Sequence, residues 1–370
     1  MKKLLFMNDS IVYGGGVEKV LIELVNHLSI DEYDISILLP DEDKDFYKYF
    51  NNNIKYFIIN RRLLKSGSHF AKMYNKIAGK INNQLCKLYI KSQRFDVAIA
   101  FKEGPCMQFI SKLPITKKLA WIHSDYDVFH WTNDMFKDQE ELDCMKSFDK
   151  VVCVSETVKK SILNTVGNPK NLCVKYNPIN EQDIIRKSHE KVEGITKPKD
   201  KLLFVTVGRL AEQKGYDRLL KVCHQLREQS DLFELWIIGE GEYEKLLKDF
   251  IKENGLKNVK LLGLKYNPYK YIKMADWFIC SSTSESFGIA IQEAIILGIP
   301  VITTNCPGAC ELFDEKIHGI IVENSEVDIF NGMSRILSNL QLDKSYKEKM
   351  EGNTRFISLE ERIDSIIELF

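Results

Sequence analysis

Short apolar runs alternating with amphipathic helical patterns leave this chain few folds to choose from. Lys3–Met7, Ile35–Leu39, Val97–Ala100, Leu119–Ile122 and Lys150–Val154 read as strands, with helical spacing between them. In Val17–Leu28 the apolar positions are 17, 20, 21, 24, 25 and 28, the period of one buried helix face. The alternation resumes with Leu202–Val207, Leu235–Ile238, Val259–Leu262, Trp277–Cys280, Val301–Thr303 and Ile320–Val322. Strands and helices in alternation call for parallel sheets covered on both faces. Between the two series Glu190–Lys201 is polar and carries Gly and Pro, as a linker does. At 370 residues the chain also exceeds what a single core usually holds. We therefore expect an N-terminal domain over 1–190, a linker over 191–201 and a C-terminal domain over 202–358.

The C-terminal series carries the most specific chemistry. In Cys280-Ser-Ser-Thr-Ser-Glu285-Ser-Phe-Gly-Ile-Ala-Ile-Gln-Glu293 a carboxylate closes a small polar run, and a second lies eight positions on in an apolar stretch of helical type. A helix beginning near Phe287 leaves the N–H groups of Phe287, Gly288 and Ile289 without intrahelical partners, facing whatever lies beside Glu285. Gly288 has no side chain to hold an anion away. Glu293 then falls about 9 Å further along the axis. Hydroxyls, phosphate and more distant hydroxyls are the three parts of a sugar nucleotide, in that order. Taken alone, an exposed glutamate followed by a surface helix would give the same letters. Upstream, the apolar run Leu203–Val207 breaks at Gly208, delivers Arg209, and is followed by Lys214-Gly215. Two cations at the carboxyl end of a parallel strand suit a diphosphate, one as a planar fork and one as a point charge. Solvated loop cations are the plain alternative.

These segments resemble the C-terminal half of the retaining GT4 glycosyltransferases, with their Glu-x7-Glu element and Gly-Arg-Leu…Lys-Gly loop. The resemblance runs in order along most of the chain: Tyr13-Gly-Gly-Gly-Val-Glu-Lys, Trp121-Ile-His123-Ser-Asp125, Val152-Cys-Val-Ser155-Glu, Tyr176-Asn177-Pro, Gly239-Glu-Gly241, Leu262-Gly263, Ala275-Asp276, Gly298-Ile-Pro, Gly308-Ala-Cys-Glu311 and His318-Gly319. It implies an α/β GT-B fold, two Rossmann-like domains facing an interdomain cleft, with the final helix, about 359–370, returning to the first domain. It implies transfer of a hexose or hexosamine, with retention, from a nucleoside-diphosphate sugar, UDP by frequency in the family, to an acceptor hydroxyl. Arg209 and Lys214 would take the leaving diphosphate with Phe287, Gly288 and Ile289, Glu285 the sugar hydroxyls and Glu293 the ribose. Gly15 and Gly16 would lie near the donor phosphates, Glu18 near the acceptor, and His123 beside the transferred sugar. A transferase with a small soluble acceptor and a sugar-nucleotide epimerase are the rival readings on the same fold.

Other features narrow the setting. Gly14-Gly-Gly16 is followed by Lys19 where a dinucleotide fingerprint needs a third Gly. Asp125-Tyr-Asp127 has the spelling of a metal-binding carboxylate pair, but Arg209 and Lys214 already supply counter-charge, so no cofactor and no divalent metal requirement is expected. Cys306 and Cys310 have ligand-like spacing without a matching pair, and loop packing explains them better. The nine cysteines form no Cys-x-x-Cys pair or small-domain framework, which suits a reducing compartment. The N-terminal apolar run is too short for a signal peptide, and no stretch reaches the roughly 18 apolar residues of a membrane span. A cytoplasmic protein is expected.

One segment breaks the overall charge balance of zero. Arg61 to Phe95 holds nine basic residues and no acidic one. At helical spacing Lys72, Lys76, Lys80, Lys87 and Lys91 form one stripe beside an apolar one that includes Leu85 and Leu88. Near an anionic leaflet each lysine contributes up to about 1 kcal/mol. Peripheral attachment to the inner membrane face and a lipid-linked or saccharide acceptor follow as expectations. The absence of a nucleic-acid motif disfavours a nucleic-acid partner. Packing of the apolar stripe on the N-terminal sheet is the alternative.

Overall fold

The computed structural model describes residues 1–9, 15–40, 47–50, 53–58, 84–229, 232–352 and 358–370. The described chain divides into two compact units, Met1–Ile179 with Glu360–Phe370, and Asn180–Leu359.

The first unit is built on seven parallel strands: β1 (Lys2–Met7), β2 (Tyr33–Leu39), β3 (Lys55–Ile58), β4 (Val97–Ala100), β5 (Lys117–Ile122), β6 (Lys150–Cys153) and β7 (Leu172–Val174). Their spatial order is β3-β2-β1-β4-β5-β6-β7. Leu4–Phe6, Val97–Ala100 and Leu119–Ile122 are all buried, as expected of central strands covered on both faces. Helix Gly16–His27 buries Val20, Leu21, Leu24 and Val25 along one stripe. The C-terminal helix Leu359–Ile367 is followed by Phe370, whose ring packs edge-to-face with Phe6 and Tyr33. The Phe370 carbonyl accepts from Lys117 Nζ at 2.7 Å, and buried Arg362 donates to the Asn177 carbonyl at 2.6 Å.

The second unit has six parallel strands: β8 (Leu202–Val207), β9 (Phe233–Ile238), β10 (Val259–Gly263), β11 (Trp277–Cys280), β12 (Val301–Thr304) and β13 (Gly319–Val322). Their order is β10-β9-β8-β11-β12-β13. Phe204, Leu219, Leu220, Cys223, Phe233, Leu235 and Trp277 form its core with Ile329 and Met333. The division at Ile179/Asn180 lies ahead of the polar segment 191–201. Helix Glu181–Ser188, capped by the Asn180 side chain on Asp183 N–H, packs on helices Tyr269–Ile272 and Ile289–Ile296 of the second unit. Its Lys187 carbonyl also accepts from Asn267 Nδ2 at 2.8 Å.

Asp276, at the entry to β11, fastens three segments of this unit. It accepts from Leu203 N–H (2.9 Å), Lys197 Nζ (2.8 Å) and Lys347 Nζ (2.9 Å). Burial alone would raise its pKa, but these donors hold it below the ordinary carboxylate value. Its stabilising effect is therefore present above an unfolded value of about 3.9 and is lost as pH falls through the folded one. The lysines are partly exposed, which trims their share. Asp276→Asn should cost about 2–3 kcal/mol at pH 7. In urea unfolding that gap should narrow below about pH 4; an equal gap at pH 3 and pH 7 would show that ionisation plays no part.

Candidate active site

In each sheet the strand order reverses once, between β1 and β4 and between β8 and β11. At such a point the connections leave in opposite directions and open a crevice at the carboxyl ends of the strands. Both reversals carry charged groups.

At the β8/β11 reversal the short 3-10 turn Glu212–Lys214 brings Lys214 to Glu285, Nζ to Oε1 at 2.6 Å. The same oxygen accepts from Ser282 Oγ at 2.7 Å. Burial works against the ammonium, but the Glu285 carboxylate outweighs it and raises the Lys214 pKa. Lys214 is therefore charged at neutral pH. Arg209 leaves the end of β8 exposed, and no described side chain pairs with its guanidinium.

The polar run before Glu285 is fixed through its backbone. Ser281 O accepts from Arg218 Nε and Nη2 at 2.9 and 2.5 Å. Ser282 O accepts from Arg218 Nη2 (2.9 Å), Thr304 Oγ1 (2.6 Å) and Cys306 Sγ (3.1 Å). Thr283 O accepts from Asn324 Nδ2 at 2.9 Å, and Thr283 N–H donates to Gln213 O at 2.8 Å. Sequence reasoning did not find Arg218, Thr304 or Asn324. The one signal available was Arg218, one residue beyond Tyr-Asp in the loop that already held Lys214. Cys306 serves this packing as a thiol, since burial pushes its pKa up to about 11.

The helix after Glu285 begins at Ile289, two residues later than the pattern predicts. Gly288 adopts a left-handed backbone, φ +66°, and its carbonyl takes both Ile291 and Gln292 N–H. Of the three N–H groups expected at the helix start, only that of Ile289 lies in the first turn, joined by Ala290; Phe287 and Gly288 precede it. Gly308 lies against this corner, where a Cβ would come within 2.1 Å of Glu285 O. Glu293 is buried in the helix, and its Oε1 accepts from Tyr269 OH at 3.2 Å.

At the β1/β4 reversal Gly15 is the N-cap and Gly16 the first residue of its helix, with Glu18 buried in the first turn. Lys102 Nζ pairs with Asp9 Oδ1 at 2.8 Å. The fully buried Glu103 accepts from His123 N–H (3.0 Å), Ser124 Oγ (2.5 Å) and Trp131 Nε1 (2.9 Å). His123 follows β5, and its Nε2 lies 3.0 Å from Phe101 O. A carbonyl only accepts, so Nε2 carries the proton and Nδ1 is the lone-pair nitrogen. Burial drives the His123 pKa down, against the pull of Glu103. Asp125 and Asp127 form a local turn, Asp127 N–H donating to Asp125 Oδ1 at 3.1 Å, while Asp127 Oδ2 accepts from Asn164.

Residues 84–93 are helical. Lys91 is exposed, and Lys87 Nζ lies 5.5 Å from the centre of the Phe109 ring. Leu85 and Leu88 are 58% and 64% exposed, whereas Ile90 is buried. Lys72, Lys76 and Lys80 lie outside the described residues, as does Gly14.

Two family models match the chain, Glycosyltransferase Family 4 over residues 14–183 and Glycosyl transferases group 1 over residues 187–353. An uncharacterized glycosyltransferase of Haemophilus influenzae is 25% identical over 373 residues, 100% of this chain and 98% of the relative. The N-acetylgalactosamine-N,N'-diacetylbacillosaminyl-diphospho-undecaprenol 4-alpha-N-acetylgalactosaminyltransferase of Campylobacter jejuni is 34% identical over 185 residues, 49% of this chain and 48% of that one. Among solved structures, HepE of Anabaena in complex with UDP and glucose has a TM-score of 0.74 at 18% identity, covering 100% of this chain and 99% of that one. That likeness is one of fold.

The lowered His123 pKa favours the neutral ring in the folded state. Its contribution to stability is present above the unfolded value of about 6.5 and is lost as pH falls from there through the folded value. In ¹H–¹⁵N spectra His123 should keep the neutral Nε2–H pattern from pH 8 to about 6, below which only the folded-state pKa decides. A transition centred near 6.5 would remove this assignment.

Proposed function

This chain is a GT-B glycosyltransferase of family 4, group 1, and from that premise we propose that it transfers a hexose or hexosamine from a UDP-sugar, with retention, to an acceptor in surface-polysaccharide or glycolipid assembly. The observation that carries the proposal is the charged group at the β8/β11 reversal: part-buried Lys214 on Glu285, with the exposed Arg209 at the end of β8. Departure of the nucleotide leaves negative charge on the diphosphate, and fixed cations aimed there lower the barrier. Arg209 and Lys214 supply that charge, and the first-turn N–H groups of Ile289 and Ala290 add to it. Oε1 of Glu285 is held by Lys214 and Ser282, so Oε2 is the oxygen offered to sugar hydroxyls. Glu293, steadied by Tyr269, takes the ribose. Neutral His123 accepts a hydroxyl of the sugar through Nδ1, and Gly15, Gly16 and Glu18 serve the phosphates and acceptor. The leaving phosphate takes the acceptor proton on the same face, and the reaction needs no metal.

The UDP and glucose named with HepE support the donor class. The diphospho-undecaprenol in the name of the Campylobacter relative supports a lipid-linked acceptor. No helix among the described residues is long and apolar enough to cross a membrane. Exposed Leu85 and Leu88 beside Lys87 and Lys91, with Lys72, Lys76 and Lys80 in the adjoining sequence, support peripheral attachment to the inner face of an anionic membrane.

Arg209→Ala and Lys214→Ala should each lower kcat by about 10²–10³-fold, measured by nucleotide release; near-normal turnover in both would refute the phosphate assignment. Turnover should survive EDTA, and a loss restored by Mg²⁺ or Mn²⁺ would reverse the metal-free reading. Changing Lys72, Lys76, Lys80, Lys87 and Lys91 to Glu should abolish sedimentation with phosphatidylserine vesicles, and unchanged sedimentation would eliminate the membrane surface.

A further inference from the structure

Glu103 has no place in the chemistry described so far, yet it organises the segment that presents His123. Its carboxylate is fully buried just after β4, and its three donors all come from one stretch of nine residues, His123–Trp131. His123 N–H binds Oε2, while Ser124 Oγ and Trp131 Nε1 share Oε1. Burial alone would discourage ionisation, but the His123 ring and these three hydrogen bonds hold the Glu103 pKa below the ordinary carboxylate range. Only an ionised carboxylate accepts at both oxygens without presenting a donor of its own. Gly104 lets the far end of the stretch approach, since a Cβ there would come within 3.0 Å of both Trp131 and Thr132. Lys102 Nζ covers the Trp131 ring at 5.2 Å. A second buried carboxylate, Glu141, holds the middle and far end of the segment through Tyr126 OH (3.0 Å), His130 Nε2 (2.8 Å) and Thr132 Oγ1 (2.8 Å).

We propose that Glu103 is a positioning residue for the transfer reaction, fixing the backbone of His123 and Ser124 so that the neutral imidazole meets the sugar at one height. The proposal rests on the reading that His123 contacts the transferred sugar. Two anchors divide the work on that ring. Phe101 O sets which nitrogen carries the proton, and Glu103 sets where the residue stands. His123 N–H is given to a buried charge and not to a strand carbonyl, so that anchor depends on one side chain. The donor diphosphate is bound by Arg209 and Lys214 in the other unit, so disturbing Glu103 should affect the chemical step and leave donor affinity alone.

The test is Glu103→Gln in the full-length enzyme. The amide nitrogen must face at least one of the three donors, and the segment shifts to relieve that clash. A displacement of about 1 Å at a reacting group lowers turnover by about 10²-fold. We expect kcat to fall on that scale, donor KM to stay within about twofold, and the Trp131 indole N–H resonance to move upfield as its charged acceptor is lost. Glu103→Asp, which keeps the charge, should recover part of kcat. Wild-type kcat together with a displaced indole resonance would mean that Glu103 only holds the fold, and would overturn the proposal. His123→Ala separates this failure from that of the underlying reading. If His123→Ala turns over normally, the reading of His123 fails; if it is slow while Glu103→Gln is normal, the inference alone fails. Should Glu103→Gln not fold by circular dichroism, Ser124→Ala with Trp131→Phe removes two of the three donors and should lower kcat at least fivefold; no change there would also overturn the proposal.

Discussion

A parallel sheet covered on both faces has little room for polar chemistry except at its strand ends, and this constraint governs both halves of the molecule. Central strands such as Val97–Ala100 and Trp277–Cys280 are buried along their whole length. Polar side chains within them would need partners that the covering helices do not provide. Charge therefore collects where the chain leaves a strand at a reversal of strand order. In one unit that place holds Asp9, Lys102 and Glu103, which reaches across to His123 at the end of β5, and in the other Arg209, Lys214 and Glu285.

The two groups share a principle of construction. Each centres on a carboxylate largely withdrawn from solvent and held by several donors. Glu285 receives Lys214 and Ser282; Glu103 receives His123, Ser124 and Trp131. An ion buried without partners is heavily penalised, and one fully partnered is held to a single geometry. The side chains packed behind Glu285 follow the same logic. Arg218, Thr304 and Asn324 spend their donors on the carbonyls of Ser281, Ser282 and Thr283, so the loop bearing Glu285 cannot drift from the turn bearing Lys214.

What the sequence disclosed follows from which forces are local. Strand β1 and helix Gly16–His27 were legible because burial writes a period into neighbouring residues. Strands β3 and β7 went unread because edge strands are only half buried and Lys55–Ile58 and Leu172–Val174 carry no long apolar run. The helix start moved to Ile289 because a left-handed Gly288 is a backbone choice made against Ala309, which no spacing rule reports. Arg218 meets its carbonyl 63 residues away, and Glu103 meets His123 at a separation of 20. Such partners are chosen by the tertiary fold. The first-rank groups Arg209, Lys214 and Glu285 were legible through their motifs, whereas the residues that aim them were not.

The Lys214–Glu285 pair sets a condition on any anionic ligand at this end of the sheet. Lys214 has three donor hydrogens and gives one to Glu285 at 2.6 Å. A phosphate could bind to the remaining hydrogens without breaking the pair. Full rupture would leave a half-buried carboxylate to Ser282 and the weak Cys280 thiol donor among the described residues, and that would be unfavourable. Sharing the ammonium is the cheaper course. It keeps Glu285 Oε1 occupied, and on the proposed reading leaves Oε2 for neutral hydroxyls and the second charge of a diphosphate for Arg209. A lysine that is already paired and an exposed arginine with no partner among the described side chains are thus complementary: an anion would find the first held in place and the second open to it.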